Sequence, residues 1–320
     1  MQTIKLTMAQ ALVKHLQAQF NLIEGKEVPL FGGMWGIFGH GNVAGLGEAL
    51  ADVKDKFTTY RAHNEQGMAL AACAYAKQNR RQRIMACTSS IGPGATNMVT
   101  AAGLAMANRL PVLFLPGDVF ATRAPDPVLQ QVEHFGEPSI SVNDCFKPVS
   151  RYFDRINRPE QLITSLPAAI NMMLDPANCG PATLALPQDV QTMAYDYPVS
   201  FFDKKVHGLT RTRADKTQLK AAIAAIKAAD KPLLVVGGGV HYSLAVETLK
   251  HFAEKHQIPV CETQAGKGVL DWRHELNLGG VGVTGSSAAN QTAADADLVI
   301  AVLDYKISLR PQEPCLIVMV

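Results

Sequence analysis

A glutamate and a glycine-rich turn carry the clearest chemistry in this chain. Glu65 stands in the run His-Asn-Glu-Gln-Gly, and the run Gly-Pro-Gly-Ala-Thr-Asn follows at residues 92–97. A carboxylate exchanges a proton efficiently near neutral pH only where it is shielded from water. Backbone N–H groups at a glycine-rich turn before a helix can bind a polar ligand. The two motifs therefore predict proton transfer beside a bound polar ligand.

The elements around these motifs place them at one edge of a sheet. A β-rich run, Phe57–Ala62, precedes a helix that starts at Glu65, and a second β-rich run, Ile84–Thr88, precedes the Gly92 turn and another helix. In a parallel sheet both helix starts lie at the carboxyl ends of the strands, where α/β proteins bind ligands. The alternative is that Glu65 is only an acid favoured by the dipole of the helix.

These residues resemble the pyrimidine-binding domain of thiamine-diphosphate enzymes, with the acetolactate synthase group as the nearest relatives. The resemblance implies that Glu65 hydrogen-bonds N1′ of the cofactor's aminopyrimidine and promotes its imino tautomer. It implies that Gly92, Pro93, Gly94 and Asn97 bind the cofactor. The segment Gly180–Val190 resembles the end of the same domain, so the resemblance covers nearly all of residues 1–195.

Two other segments carry candidate substrate residues. The strand-to-helix turn Gly39–Asn42 offers His40 and Asn42, although His40 is equally explained as a turn histidine bonded to the backbone. The irregular stretch from Phe120 to Asn143 is long enough to predict a functional loop. In the family this loop carries a glutamine and an acidic residue near the active centre, and Gln131 and Glu133 match them best.

Composition excludes several classes of function. The chain has 320 residues, 48% hydrophobic and 18% charged, with a formal charge of +2 and no long basic run, so nucleic acid is not an expected partner. The longest apolar run, Leu110–Leu115, is too short to cross a membrane. Six scattered cysteines lack the close pairs of a metal site and predict reduced thiols in a cytoplasmic protein.

The apolar strand patterns predict an α/β fold in two parts. Residues 1–195 are expected to form a parallel sheet flanked by helices, and residues 196–215 a linker. Residues 216–320 predict a second, Rossmann-like α/β domain. Its glycines at 237–239 suggest a dinucleotide site or simply a tight turn, and the turn is favoured because Tyr242 stands where the fingerprint needs glycine.

The end of the sequence departs from the family pattern. After the strand Asp297–Val302 the chain reads Leu303-Asp304-Tyr305-Lys306 where a glycine turn is expected, and it ends in the apolar run 316–320. The Gly-Asp-Gly and Asn-Asn motif that holds magnesium and the diphosphate in the family does not occur. We therefore expect an incomplete middle domain, no C-terminal diphosphate-binding domain, and no tight cofactor binding or catalysis by this chain alone.

Finer features indicate which reaction the family resemblance implies. Asn64 before the glutamate, Ser90-Ile91 before the glycine turn and the loop after Asp118 resemble family members that hydrolyse a carbon–carbon bond of a cyclic 1,2-diketone, giving 5-deoxyglucuronate in inositol catabolism. Thiamine diphosphate, Mg²⁺ and a homodimer or homotetramer follow from that resemblance. An acetolactate-forming carboligase and a non-catalytic nucleotide-binding protein are the alternatives.

Overall fold

The computed structural model describes residues 2–125, 128–211 and 213–303, and the backbone of residues 315–319. The chain forms two compact units, Met1–Thr210 (unit 1) and Arg211–Val320 (unit 2). No helix in the described part of the chain is long and apolar enough to span a membrane.

Unit 1 alternates strands and helices along most of its length. Its elements in chain order are β1 (Thr3–Thr7), α1 (Met8–Gln17), β2 (Gln19–Ile23), β3 (Lys26–Pro29), β4 (Phe31–Gly36), α2 (Glu48–Asp52), β5 (Thr59–Arg61), α3 (Glu65–Gln78), β6 (Ile84–Ser89), α4 (Pro93–Thr96), α5 (Val99–Ala107), β7 (Leu113–Asp118), β8 (Tyr152–Arg155), α6 (Leu162–Leu174), β9 (Ala182–Pro187), α7 (Gln188–Thr192), β10 (Ala194–Pro198) and β11 (Lys205–His207). A π-helical turn (Val43–Gly47) and 3₁₀ helices (Val142–Val149, Pro159–Gln161 and Val199–Phe202) complete it.

The central sheet of unit 1 has six strands in the order β5-β4-β6-β7-β9-β8, and every pair is parallel. Strands β6, β7 and β9 are buried along their whole length, because helices cover the sheet and leave no polar face. Helices α1 and α6 contribute Leu12, Leu16, Leu166 and Ile170 to the main core. The predicted α/β fold with a parallel sheet flanked by helices is confirmed.

Two helices differ in extent from what the local apolar spacing predicts. The apolar residues between Thr7 and Phe20 have the spacing of one amphipathic helix, but α1 ends at Gln17 and Phe20 belongs to β2, which pairs with β3 and β11. The sequence pattern after the Gly92 turn is that of one helix, but the chain there divides into α4 and α5 around Asn97 and Met98. In both places tertiary contacts override the periodicity, which is a local signal.

Much of the predicted linker, residues 196–215, is folded onto unit 1. Strand β10 pairs antiparallel with β1, and Tyr197 within it is fully buried with its hydroxyl donating to the carbonyl oxygen of Pro159 (2.9 Å). Strand β11 pairs parallel with β2. The segment has no clear alternation of apolar and polar residues because it is rich in polar residues and its strands are short. It therefore resembles a linker in sequence.

Unit 2 contains α8 (Lys216–Ala228), β12 (Pro232–Val236), α9 (Gly238–Tyr242), α10 (Val246–His256), β13 (Val260–Glu262), a 3₁₀ turn (Gln264–Gly266), β14 (Asn277–Gly280), α11 (Ser287–Asp295), β15 (Leu298–Leu303) and β16 (Cys315–Met319). Its five strands are all parallel, in the order β14-β13-β12-β15-β16. The departure predicted after Leu303 lies outside the described residues, as do the side chains of the apolar end.

Candidate functional site

The candidate site lies at the carboxyl edge of the unit 1 sheet. Because every strand of this sheet is parallel, the turns that follow β4, β5 and β6 lie on the same side. These are the three turns expected to form the ligand edge, namely residues 39–42, 62–66 and 89–97. Their predicted placement on one edge is confirmed.

Glu65 meets the glycine-rich turn directly. The side-chain amide of Asn97 donates to Glu65 Oε2 (2.9 Å), and a Cβ placed on Gly94 would lie 3.2 Å from Glu65 Oε1. Glu65 is half-buried, and among the described residues no hydrogen-bond donor reaches its Oε1. One carboxylate oxygen is thus held by the protein, while the other is available over a glycine that leaves room for a ligand.

The start of α3 fixes the position of Glu65. Asn64 is the N-cap of this helix, and its Oδ1 accepts a hydrogen bond from the backbone N–H of Gly67 (2.8 Å). The cap satisfies one of the helix's unpaired N–H groups and sets the direction in which Glu65 leaves the first turn. Asn64 therefore has a local structural role at the start of α3.

Gly92 and Pro93 shape the turn that faces Glu65. Gly92 has φ +67° and ψ −121°, a conformation that side chains rarely adopt, and Pro93 begins α4. A side chain on Gly92 would also collide with the carbonyl oxygen of Gln130. The turn therefore requires glycine for its backbone and for the close approach of a neighbouring loop.

The two candidate substrate residues in the turn 39–42 have different surroundings. Asn42 is almost fully buried, with Nδ2 donating to the carbonyl oxygen of Ile37 (3.1 Å) and to Thr88 Oγ1 (3.2 Å), while Oδ1 accepts from the backbone N–H of Gly39 (2.9 Å). Its polar atoms hold the turn and are not directed at a ligand. By contrast, Nε2 of half-buried His40 has no hydrogen-bond partner among the described residues.

The loop that follows β7 covers the glycine-rich turn. We call residues 119–125 and 128–140 the edge loop. Gln131 is 2% exposed, its Nε2 has no partner among the described residues, and it lines a small cavity of about 110 Å³. Glu133 lines the same cavity and accepts a long hydrogen bond from the backbone N–H of Val128 (3.4 Å). Leu129 and Phe135 are strongly exposed at 72% and 81%.

Sequence reasoning missed the residues that anchor this loop. Asp118, fully buried at the end of β7, accepts hydrogen bonds from Arg155 Nε (2.6 Å), the backbone N–H of Val119 (2.8 Å) and the hydroxyl of Ser141. Arg155 also donates through Nη2 to Asp144 (2.7 Å). The position of Asp118 at the end of an apolar run could have marked it as a candidate residue. Its pairing with Arg155 could not be predicted, because Arg155 lies on another strand.

The segment that closes the predicted first domain also supports the edge. Asp189 accepts hydrogen bonds from the backbone N–H groups of Ala121 (2.9 Å) and Thr122 (3.2 Å), at the start of the edge loop. The amide of buried Gln191 donates to the carbonyl oxygen of Gly41 (2.7 Å) in the first turn. Asp189 and Gln191 in α7 thus stabilise two neighbouring turns of the edge.

With this geometry in place, comparison with known families identifies the class of protein. Residues 34–136 match the family described as thiamine pyrophosphate enzyme, N-terminal TPP binding domain, and residues 219–303 match thiamine pyrophosphate enzyme, central domain. The first match includes Glu65, the Gly92 turn and most of the edge loop. The chain belongs to the thiamine pyrophosphate enzymes and contains their N-terminal and central domains.

Its similar relatives carry a more particular name. Over 302 residues, or 94% of this chain, it is 56% identical to the 3D-(3,5/4)-trihydroxycyclohexane-1,2-dione hydrolase of Clostridium tetani and 55% identical to that of Geobacillus thermodenitrificans. A third, hydrolase 1 of Bacillus cereus, is 54% identical over the same length. Each match covers 47% of the relative, so the chain spans about half the length of these proteins.

Proposed function

We propose that the protein takes part in thiamine-diphosphate-dependent hydrolysis of a carbon–carbon bond in 3D-(3,5/4)-trihydroxycyclohexane-1,2-dione. The observation that carries this proposal is the contact of Glu65 with Asn97 and Gly94. It occurs in a chain that is 54–56% identical to proteins named as hydrolases of this dione. The geometry of the site supports thiamine diphosphate as the cofactor, and the similarity over 94% of the chain supports the dione as the substrate.

The residues at the edge fit the aminopyrimidine of the cofactor. Glu65 Oε1 can exchange a proton with a ring nitrogen, Asn97 holds Oε2 so that the carboxylate keeps one orientation, and Gly94 leaves space for a flat ring. When bound, thiamine diphosphate supplies a carbon nucleophile and an electron sink for bond cleavage. The chain's own task is then to orient the ring and to move one proton at Glu65.

The other candidates have distinct roles in this proposal. His40 and Gln131 each offer a buried nitrogen that has no hydrogen-bond partner among the described residues, which suits hydrogen bonding to the hydroxyl and carbonyl groups of the dione. Asn42 holds the turn beside His40. The edge loop covers the Gly92 turn and limits the access of water to it. Mg²⁺ with the diphosphate remains part of the proposed cofactor, and no group of three metal-ligating side chains occurs among the described residues.

Assembly and location are also part of the proposal. The strongly exposed Leu129 and Phe135 at the edge suggest that another protein surface covers them in a homodimer or homotetramer. Buried thiols at Cys73, Cys87 and Cys261 suit a cytoplasmic protein. Light scattering of the purified protein measures its mass, and a monomer at micromolar concentration would contradict the assembly.

Replacing Glu65 by glutamine tests the proton transfer. In a preparation whose wild type hydrolyses the dione, Glu65→Gln should reduce the rate by about 100-fold or more, because the amide cannot exchange the proton. Exchange of the cofactor's C2 proton, followed by NMR, should slow in parallel. The exposed Glu48 on α2 provides the matched control, Glu48→Gln, which should leave both rates unchanged. Retention of a tenth of the activity in Glu65→Gln would contradict the assignment.

A methyl group on Gly94 tests where the ligand lies. Gly94→Ala places a Cβ 3.2 Å from Glu65 Oε1 and should weaken thiamine diphosphate binding by about tenfold. Gly103→Ala on α5 is the control, because its Cβ would make only an ordinary contact with Val149 (3.7 Å). In a preparation whose wild type binds thiamine diphosphate, calorimetric titration measures the affinity of both variants, and equal affinities would contradict a cofactor beside Gly94.

Two titrations separate this proposal from its alternatives. Formation of acetolactate from pyruvate at a rate that exceeds dione hydrolysis would favour the carboligase. Saturable binding of NAD or FAD would favour the nucleotide-binding protein. We expect neither outcome. Nucleotide binding is not expected because the glycines of unit 2 are covered by its own residues: a Cβ on Gly238 would lie 2.9 Å from the ring of Tyr242.

A further inference from the structure

A buried ion cluster joins the two ends of the edge loop. Asp118 is fully buried and Asp144 is partly buried, and they belong to segments on either side of the loop. The guanidinium of Arg155 bridges them, with Nε 2.6 Å from Asp118 Oδ2 and Nη2 2.7 Å from Asp144 Oδ1. The planar fork of arginine suits this bridge, because it presents two N–H groups in fixed directions.

The same carboxylates also hold the loop ends directly. Asp118 Oδ1 accepts hydrogen bonds from the backbone N–H of Val119, the first residue of the loop (2.8 Å), and from the hydroxyl of Ser141, the residue just after it. Asp144 Oδ2 accepts from the backbone N–H of Ser141 (3.2 Å). One guanidinium therefore fixes both carboxylates to which the loop ends are bonded.

The position of the loop determines what lies over the Gly92 turn. The carbonyl oxygen of Gln130 contacts Gly92 so closely that no side chain would fit there. The next residue, Gln131, is buried in the loop cavity with its Nε2 unpartnered among the described residues. A displacement of the loop ends would move both glutamines and expose the Gly92–Gly94 turn to water.

We propose that Arg155 is a positioning residue of this site, which clamps both ends of the edge loop and so keeps Gln130 and Gln131 over the glycine-rich turn. It acts through the loop and touches neither Glu65 nor the Gly92 turn itself. Burial opposes the charge of Arg155, but Asp118 and Asp144 more than offset it and raise its pKa. The effect on catalysis rests on the function proposed above, whereas the effect on the loop does not.

Amide hydrogen exchange of Arg155→Met tests the clamp. Peptides covering residues 128–140 should exchange about tenfold faster than in the wild type, while peptides from α3 should be unchanged. The control is Arg158→Met, which removes the same charge three positions along from an exposed side chain (75%) paired with Glu160. It should leave exchange in the loop as in the wild type. A folded Arg155→Met protein with wild-type exchange in the loop would overturn the proposal.

Two further variants keep the test decisive. If Arg155→Met does not fold, Ser141→Ala decides, because it removes the loop-end hydrogen bond to Asp118, together with the cap on the backbone N–H of Asn143, and leaves the ion pairs in place. It should raise exchange in residues 128–140 by about threefold, and no increase would overturn the clamp. Arg155→Lys keeps the charge but loses the fork, so its exchange should lie between those of wild type and Arg155→Met.

Kinetics then connect the loop to the reaction. Arg155→Lys should raise the KM for the dione by about fivefold with a smaller change in kcat, since the loop positions substrate and Glu65 is untouched. An unchanged KM together with faster loop exchange would overturn the positioning role. If the wild-type protein hydrolyses no dione, the proposed function fails, while the exchange measurements still decide whether Arg155 clamps the loop.

Discussion

The carboxyl edges of the two sheets are built alike but covered differently. In unit 1, Gly92 follows β6 and caps α4, whose first turn contains Gly94. In unit 2, Gly237 follows β12 and caps α9, which begins with Gly238 and Gly239. In unit 1 the turn faces a half-buried carboxylate with one unpartnered oxygen among the described residues. In unit 2 the turn faces side chains and backbone of its own unit.

The covering of the unit 2 turn is tight. A Cβ on Gly237 would lie 2.7 Å from Leu303 Cδ2, and a side chain on Gly266 would collide with the carbonyl oxygen of Val236 at the end of β12. The 3₁₀ turn that contains Gly266 is held by the N-cap Thr263 (3.2 Å). A pyrophosphate at this turn would need the space that these residues occupy.

The comparison teaches that glycines at a strand-to-helix turn do not by themselves make a binding site. Glycine allows close approach, and what approaches decides the outcome. At Gly237 and Gly266 the approaching groups are the side chain of Leu303 and the backbone carbonyl of Val236, and the glycines serve packing. At Gly94 the nearest group is the carboxylate of Glu65, and the space beside it suits a ligand.

Acid should destabilise unit 1 more than unit 2. Burial, helped by the charges of nearby Lys205 and His207, lowers the pKa of His15 to about 4 against the opposing effect of its hydrogen bond to the carbonyl oxygen of Phe201. The unfolded chain binds this proton near pH 6.5, whereas the folded unit does not until about pH 4. The stability of unit 1 should therefore be full above pH 6.5 and fall by about 3 kcal/mol on acidification to pH 4.

Denaturant unfolding at several pH values, followed by amide exchange in peptides of each unit, measures this effect. His15→Gln should flatten the dependence of unit 1 between pH 6.5 and 4, because the titrating ring is gone. His251→Gln, on an exposed position of α10, is the control and should leave it unchanged. Equal acid sensitivity of the two units in the wild type would remove this difference between them.

A side chain on Gly92 should disturb the edge of unit 1. Gly92→Ala combines a backbone conformation with φ +67° and a collision with the Gln130 carbonyl, so we expect a loss of about 2 kcal/mol of stability or displacement of the edge loop. Gly136→Ala, in the same loop, should have little effect, because its Cβ would contact His134 at an ordinary 3.5 Å. Thermal unfolding and limited proteolysis of the loop distinguish the outcomes, and wild-type behaviour of Gly92→Ala would show that the loop does not press on this turn.

Two helix caps give the smallest and most selective comparison. Asn64 caps α3 in unit 1 and Ser286 caps α11 in unit 2, each by accepting a backbone N–H at 2.8 Å and 3.0 Å. Asn64→Ala and Ser286→Ala should each cost about 1 kcal/mol of stability. Only Asn64→Ala should also weaken thiamine diphosphate binding, by about threefold, because it loosens the start of the helix that carries Glu65. Equal effects of both variants on cofactor affinity would contradict a site confined to the unit 1 edge.

Much of the fold and part of the site could be predicted from local patterns. The apolar runs that became β6, β7 and β9 predicted a parallel sheet, and the connectivity then required the turns at His40, Glu65 and Gly94 to share an edge. The extent of α1 and the folded segment 196–207 could not be predicted in this way. There the decisive contacts join β2 with β11 and β1 with β10, which lie far apart in the sequence.

The sequence by itself determined the order of the elements, the edge at which Glu65 lies and the resemblance to thiamine-diphosphate enzymes. These depend on motifs and periodicities that are complete within short stretches of chain. Only the tertiary structure decided that Asn97 holds Glu65, that Arg155 pairs with Asp118 and that unit 2 covers its own glycines. Each of these depends on groups from separate elements, whose distances are fixed only when the sheets assemble and exclude water from between them.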